Sequence, residues 1–590
     1  MAHYMRNSFT QIAFLEEDLL ITGGRYQKRV RATSLMIEIL KMTGQPMQEE
    51  KLINKLQNKF QISQERLKEY LEKLSDLGFL EKDVIYICKQ EHAKYQDIQS
   101  EICSFNVPTY QRKEELKRCL ESYIQNFKEY GHVLKYYIYD DTNVYKDYVN
   151  SKFLQEIVNA NQVSISCIGL KEKKELINLL AKDFKRELIE FSFLPSNLFQ
   201  KKKYFMAGAN RNCILAYNAG ENFLMADDDS LCKGIKEEKS SCLMFSIGRG
   251  SIEKSNITYE HLKKLTKDLR CDLIKEHKQF LGKRLGQLLK EKQISKIDYN
   301  MIESQNVIFP NAYDLYCDSK IAFTFHSILG WPDQTADEVI RESLKYNNID
   351  FLMGKDNQYI RECVKGNVIY AKAHLLTTTL TGMTGEEILV PFMPVYKNED
   401  IHFSYFLNYI QPYGLSCGLQ QNLLHNKTSM SDQLANFYNH FYGDIVFSYV
   451  LLELLKKLKS NIPEKYMPIS VRIKILAQYI QEVCGKNEKD FVANILSLKI
   501  DLEKLYVEKK FYIDELKRTF SINLELYQMK NGYNGLKSYH DFLIHSEWKA
   551  MRKVLIYYVQ LLTQWKDILQ ACHELRKKEQ LPEQNVRWRG

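Results

Sequence analysis

Proline and glycine are scarce in this chain, 11 and 25 of 590 residues. That excludes a collagen-like repeat and the Pro/Gly-rich composition of low-complexity chains. Long apolar runs are missing too. The longest, Ile445 to Leu452, falls far short of the roughly 20 residues a membrane-spanning helix needs. Met1 to Arg6 carries no apolar core of a secretory signal. The 13 cysteines show no Cys-x-x-Cys and no paired spacing, so neither a disulfide framework nor a structural zinc cluster is expected. A reducing, cytoplasmic setting is expected instead. A Gly-x-Ser-x-Gly elbow is absent, and Gly248-Arg-Gly250 is too short to cradle phosphates as a P-loop does. A large excess of one charge is lacking as well: 83 basic against 74 acidic residues leave +9. That accepts an anionic ligand without demanding nucleic acid.

What is present is globular, with 45% hydrophobic and 27% charged residues. At about 150 residues per domain the length points to three or four domains. Residues 1–98 read as strands at Gln11 to Phe14, Leu19 to Ile21 and Tyr26 to Val30, turned at Gly23-Gly24. Three helices follow, from Thr33 to Met42, from Gln48 and after Ser63, and Val84 to Cys88 closes the unit. The order is winged-helix-like. Residues 99–250 alternate apolar runs (Ile102 to Val107, Leu134 to Tyr139, Val163 to Ile168) with helical patterns (Glu114 to Tyr130, Asn150 to Ala160, Lys171 to Phe184). Such alternation predicts βαβ units and a largely parallel sheet, an α/β fold. Residues 251–430 begin with a long basic helical stretch, Tyr259 to Glu291, before loops and short strands. Residues 431–590 read as all-α, with amphipathic runs at Ile445 to Leu458, Val471 to Val483, Phe491 to Lys509 and Glu547 to Lys577.

The sharpest chemical signal is Phe223 to Ser230, an apolar strand running into Asp227, Asp228 and Asp229. Hard carboxylate oxygens at a strand end suit Mg²⁺ or Mn²⁺; an acidic turn is the plainer alternative. Upstream, Gly208, Asn210 and Arg211 place a helix start and a guanidinium where an anion can sit. A second acidic pair, Glu399 and Asp400, follows Pro391 to Asn398. By itself it reads as a helix N-terminus that favours negative charge. His425 by itself reads as an ordinary buried or surface histidine. His326 and Trp331 suit an acceptor platform, though aromatic packing is the simpler reading.

Together these segments resemble a family 2 glycosyltransferase. Phe105 to Arg112 and Glu115 to Ser122 are similar to its first strand, Thr-Tyr-x-Arg loop and Arg-Cys-Leu-x-Ser helix. Tyr139 to Thr142 resembles its second-strand Asp-Asp motif, Gly208 to Asn212 its Ala-Arg-Asn segment, and Asp227 to Asp229 its Asp-x-Asp motif. The four come in the family's order, over roughly residues 101–430. The resemblance implies a Rossmann-like A-type glycosyltransferase domain split into a nucleotide-sugar half (99–250) and an acceptor half (251–430). Pro108, Thr109, Arg112, Asp140, Asp141, Asn210, Arg211 and Asp228 would bind the nucleotide-sugar donor, most simply a UDP-sugar. Asp227, Asp229 and His425 would hold Mg²⁺ or Mn²⁺. Leu389 to Asp400 resembles the Pro-Phe-x-Pro-x-x-x-Asn-Glu-Asp segment of bacterial glycosyltransferases, and implies Asp400, with Glu399 beside it, as base of an inverting transfer.

The N-terminal unit carries no DNA reading, because its third helix balances Arg66, Lys68 and Lys73 against Glu65, Glu69, Glu72 and Asp76. Ala32 to Leu40, Gly44, Glu50 to Phe60 and Leu74 to Leu80 resemble the pyrroloquinoline-quinone D-type domain that binds leader peptides of ribosomally made natural products. That resemblance implies an extended leader paired to the strand of Tyr26, Lys28 and Val30, beside Leu67, Tyr70 and Leu71. The expected protein is a metal-dependent transferase placing a sugar on a Ser, Thr or Cys of a precursor peptide. It would use neither nucleic acid nor a membrane span, and its C-terminal helices would frame the acceptor groove or make a homodimer. A surface-glycan transferase with a docking domain and a non-catalytic peptide-binding protein are the alternatives.

Overall fold

A computed structural model describes residues 3–6, 11–15, 18–23, 28–43, 47–82, 101–142, 152–195, 198, 206–234, 243–246, 255–258, 264, 266–292, 319–330, 358–361, 367–370, 379–385, 390–396, 398–411, 414–425, 446–460, 468–497 and 548–588. Apolar runs become parallel strands where amphipathic helices separate them. Strand β1 (Ile102–Thr109), helix α1 (Lys113–Glu129), β2 (Lys135–Asp140), α2 (Lys152–Asn161) and β3 (Ile165–Ile168) follow in turn. Helices α3 (Leu170–Leu180), α4 (Arg186–Phe193) and α5 (Ala207–Tyr217) then lead to β4 (Asn222–Met225). The four strands are parallel in the order β3-β2-β1-β4. The winding direction therefore reverses between β1 and β4, and ligands of open α/β sheets bind beside such a reversal, at the strands' carboxyl ends.

The sheet continues past β4 with mixed polarity. Strand β9 (Thr381–Met383) is antiparallel to β4 and to β7 (Ile321–Gly330), and β7 runs parallel to β10 (Leu415–His425). β10 is buried along its whole length, as an inner strand covered on both faces must be. Its far end also pairs with the two-residue strand β5 (Ser230–Leu231). Strands β6 (Leu243–Ser246) and β8 (Asn367–Tyr370) extend the sheet on that side. At the opposite edge β11 (Gln584–Val586) lies antiparallel to β3.

Side chains alternate between two apolar layers. Phe105 and Val107 of β1 join Leu116, Leu120 and Ile124 of α1 on one face, whereas Phe223 and Met225 of β4 join α3 to α5 on the other. Buried polar groups stitch the second face: Asn106 donates to the Ser104 hydroxyl and the Leu224 carbonyl, and accepts from Tyr139 and Asn218. This second layer corrects one expected boundary. Helices α6 (Glu399–Ile410), α7 (Val446–Ser460), α8 (Ile469–Cys484), α9 (Glu488–Ser497) and α10 (Trp548–Lys577) share its core with α3 to α5. The described helices after residue 431 thus pack into the sheet's own core: Met551, Leu555, Tyr558, Leu562 and Trp565, one stripe at helical spacing, are buried in that layer. Phe491 to Lys509 is helical as far as Ser497; the rest lies outside the described residues.

The long helix expected over Tyr259 to Glu291 is also corrected. Its described residues form a pair of short helices instead, Leu273–Lys278 and Leu285–Glu291. Asp272 caps the first through the Lys275 N–H, and Gly282, at φ +76°, turns the chain between them.

In the N-terminal unit His3–Arg6 lies between Met47–Gln48 and Leu80–Lys82, and a second sheet runs Gln11–Leu15, Asp18–Gly23, Lys28–Arg31. Thr33 and Ser63 cap helices Ser34–Met42 and Gln64–Asp76, with Glu49–Phe60 between. Gly78, at φ +77°, ends the third helix, its neighbour Phe79 donating back to the Leu74 carbonyl. The described closing strand is Leu80–Lys82; Val84 to Cys88 lies outside the described residues. Leu67 and Leu71 are wholly buried with Leu52, Leu56 and Leu74. That corrects their assignment to a peptide groove, because the helix spends this face on the unit's own core. Tyr70 is half-buried at its margin, as is Val30. Tyr26 lies outside the described residues, and Lys28 is placed only as a backbone position in its strand.

Candidate active site

Three strands of the parallel sheet end together in polar residues. From β4 the chain enters the Asp227 to Ser230 turn, closed by the Ser230 N–H on the Asp227 carbonyl. Helix α1 grips this turn: Cys119 Sγ reaches the Asp227 carbonyl at 3.5 Å, Tyr123 OH meets Ser230 Oγ at 2.6 Å, and Ser122 Oγ accepts from the Cys232 N–H at 3.1 Å. The Arg-Cys-Leu-x-Ser segment read in the sequence is thereby the buttress of the acidic turn.

Pairing of β5 with β10 sets Ser230 opposite His425. His425 Nε2 consequently stands 2.9 Å from Asp229 Oδ1, both side chains buried. One ligand atom each from Asp227, Asp229 and His425 lie within 4.8 Å of one another, the one such group among the described residues. Two carboxylates and an imidazole this close fit a divalent cation, and Asp227 is the least buried of the three.

Asp228 is turned the other way. Thr109 Oγ1 donates to it at 2.7 Å and Arg112 Nη1 at 3.0 Å, while the same Nη1 reaches Asp229 at 2.9 Å. Burial pushes the Asp228 carboxyl up, with Asp229 adding to the effect and Arg112 opposing it. Asp228 thereby anchors the loop after β1. Arg112 keeps 45% of its side chain exposed while its guanidinium is held by the two carboxylates.

At the end of β2, Asp140 is buried and accepts from the Thr142 N–H at 2.8 Å, a local turn bond. Burial raises its carboxyl pKa. It shapes the turn, whereas Asp141 remains half-buried at the rim. Asp141 pairs with Lys173, whose side chain is wholly buried in α3 and also donates to Asn210 at 2.8 Å. Sequence reasoning misses Lys173, because an amphipathic, lysine-rich helix gives no sign of which lysine faces inward. Burial lowers the pKa of its ammonium, but Asp141 together with Cys213 and Asp140 more than offsets that, and the net shift is upward.

The Asn210-Arg211-Asn212 run distributes its three side chains to three elements. Asn210 donates to the Tyr139 carbonyl, at the end of β2. Asn212 donates to the Ser192 and Phe392 carbonyls and accepts from the Phe392 N–H. Arg211 bonds Glu399 at 2.6 Å and Asp227 at 3.1 Å. Gly208 makes this convergence possible, since a Cβ there would sit 1.9 Å from the Met393 carbonyl oxygen. The segment before α6 is accordingly sewn to α5, and α6 starts from Asn398 at φ +68°. Glu399 is buried, and burial raises its pKa against the pull of Arg211. Asp400 is half-buried and accepts from the Ile401 N–H at 2.8 Å.

His326 is removed from this chemistry. It is buried in β7, donates to the Gln421 carbonyl at 3.1 Å and meets His277 edge to face. Burial lowers its pKa to about 4. Trp331 lies outside the described residues.

No family model and no curated protein matches the chain. Among solved structures it is similar to a chain of the E. coli microcin synthetase McbBCD complex, at 14% identity over 29% of this chain and 60% of that one, TM-score 0.11. It is also similar to the heterocyclase TruD, at 13% identity over 29% of this chain and 26% of that one, TM-score 0.12. A heterocyclase in complex with substrate and cofactor matches at 13% over 28% and 23%, TM-score 0.12. The chain spans 60% or less of the length of these structures, and likeness at such scores describes no shared architecture.

Proposed function

We propose that the chain is a metal-dependent glycosyltransferase that moves a sugar from a nucleotide-sugar donor to a Ser, Thr or Cys side chain of a ribosomally made precursor peptide. One observation carries the reading: Asp227, Asp229 and His425 converge at the carboxyl ends of β1 and β4, at the reversal of a β3-β2-β1-β4 parallel sheet. That order, continued by the antiparallel β9, is compatible with a Rossmann-like A-type transferase domain.

The three residues would hold Mn²⁺ or Mg²⁺, which supplies a Lewis acid to the donor's pyrophosphate. Arg112 adds a cation at the same rim, and Asp141, fixed by Lys173, accepts an N–H of the base. Asp400 is the accessible carboxylate on the acceptor side. It takes the proton of the acceptor hydroxyl or thiol as the oxygen or sulfur bonds the anomeric carbon. The anomeric carbon–oxygen bond to the diphosphate breaks, the electron pair leaves with the nucleoside diphosphate, and configuration inverts. Glu399, buried against Arg211, leaves this role to its neighbour.

The peptide acceptor is supported by the N-terminal unit. Lys28–Arg31 pairs with one strand among the described residues and forms an edge of its sheet, the surface on which an extended leader can add a strand. Holding the leader raises the local concentration of the core peptide at the transferase site. No helix among the described residues is long and apolar enough to cross a membrane.

Thermal shift with a panel of nucleoside diphosphates, with and without Mn²⁺, tests the donor site on wild type and Asp229→Asn. A Mn²⁺-dependent rise with one nucleotide, absent in the variant, is expected, about 2.7 kcal/mol of added stability at a hundredfold excess over Kd. No rise with any nucleotide overturns the assignment.

A further inference from the structure

The Arg211–Glu399 pair has no obvious place in a transfer reaction, and its surroundings are informative. Arg211 is buried and puts one guanidinium nitrogen 3.1 Å from Asp227 and another 2.6 Å from Glu399. It also lies over the Phe392 ring, 5.8 Å from the centroid. A fixed cation hydrogen-bonded to a candidate metal ligand works against a second cation at that ligand; Arg112 stands in the same relation to Asp229, but from a side chain 45% exposed, where solvent screens it. Arg211 and a metal ion draw on the same carboxylate, and a buried site screens their repulsion poorly. Glu399 takes the other guanidinium nitrogen, and its bond is the shorter of the two.

We propose that Glu399 is a positioning residue that neutralises Arg211 and thereby keeps the Asp227 carboxylate available to a divalent cation. The inference rests on the metal-binding reading of Asp227, Asp229 and His425. Its consequence is a link between donor and acceptor sides. Glu399 opens α6 one residue before Asp400, so the charge that frees the metal ligand also fixes the start of the helix that carries the base. Gly208 and Asn212 hold the two helices close enough for one guanidinium to span them.

The partners of this ion pair make opposite predictions, which a purely structural role does not. In Glu399→Gln the guanidinium keeps its charge, loses its counter-charge and turns wholly to Asp227, so Mn²⁺ affinity falls at least tenfold. In Arg211→Gln the competing cation is gone, so Mn²⁺ binding is unchanged or tighter. The double variant binds within about threefold of wild type. Mn²⁺ titration of the full-length chain followed by electron paramagnetic resonance reads bound metal directly, without turnover. Equal weakening in both single variants, or wild-type affinity in Glu399→Gln, overturns the proposal while leaving the metal site intact. Absence of Mn²⁺ binding by the wild-type chain overturns the metal site and this inference together. Should Glu399→Gln fail to fold, Arg211→Gln still decides, because a loss of affinity there contradicts the mechanism.

Discussion

His425 and Asp229, 196 positions apart in the chain, meet at 2.9 Å because Ser230 is the backbone partner of His425 in the β5–β10 pairing. The contact is set by register. A shift of one residue along β10 turns the imidazole to the other face of the sheet, so the position of this histidine depends on every pairing that fixes β10 beside β7 and β8.

That dependence makes His425 a sharp probe of the cation site. His425→Ala removes one of three ligands and is expected to raise the Mn²⁺ Kd at least tenfold by calorimetry; it also removes a buried partner of Asp229, so the melting temperature without metal falls as well. Equal Mn²⁺ affinity in the variant contradicts the ligand assignment.

Asn212→Ala removes the partner of the buried Phe392 N–H and carbonyl and of the Ser192 carbonyl. Unpaired buried backbone groups are costly, and a loss of about 2–3 kcal/mol is expected in urea denaturation. Asn212→Asp keeps one acceptor and loses both donors, and belongs with the alanine variant. A cost under about 0.5 kcal/mol shows that the segment before α6 is held elsewhere.

Gly208→Ala places a methyl group against the Met393 carbonyl oxygen, which is backbone and cannot rotate away. The helices must separate, at a cost of about 1–3 kcal/mol, and the Arg211–Glu399 contact lengthens. Mn²⁺ affinity and stability are expected to fall together. A variant as stable as wild type means that α5 and the 390–396 segment are not in rigid contact.

His402 gives a pH signature. Burial lowers its pKa to about 3, and Nε2 meets Ser448 Oγ at 2.7 Å. In the unfolded chain it titrates near its ordinary value of about 6.5. The unfolded state binds more protons between these values, so this contribution to stability is intact above about pH 6.5 and is lost as pH falls toward 3. Each pH unit in that window removes about 1.4 kcal/mol. His402→Gln cannot take up the proton. Its stability measured by urea at pH 6, 5 and 4 is expected to fall less steeply than wild type by that amount. Parallel curves refute the buried neutral imidazole.

Much of the architecture is legible along the chain. The N-terminal helices follow from caps at Thr33 and Ser63 and from leucines at helical spacing, all interactions within a few residues. The first three strands and the helices between them follow for the same reason, and the Asp227–Asp229 run after an apolar strand marks a strand end by itself. Local pattern also determines that three carboxylates gather in one turn. What each of them meets does not follow, because Asp228 bonds Thr109 and Arg112, more than a hundred residues upstream, and Asp229 meets His425 from a distant strand. The partners of Arg211, the inward turn of Lys173, the burial of Leu67 and Leu71 and the union of the C-terminal helices with the sheet are likewise decided only by tertiary structure. Periodicity states that a face is apolar or that a residue is charged. It does not state what lies opposite, and opposition here is set by strand order and register across separations of 188 residues for Arg211 and Glu399 and 196 for Asp229 and His425.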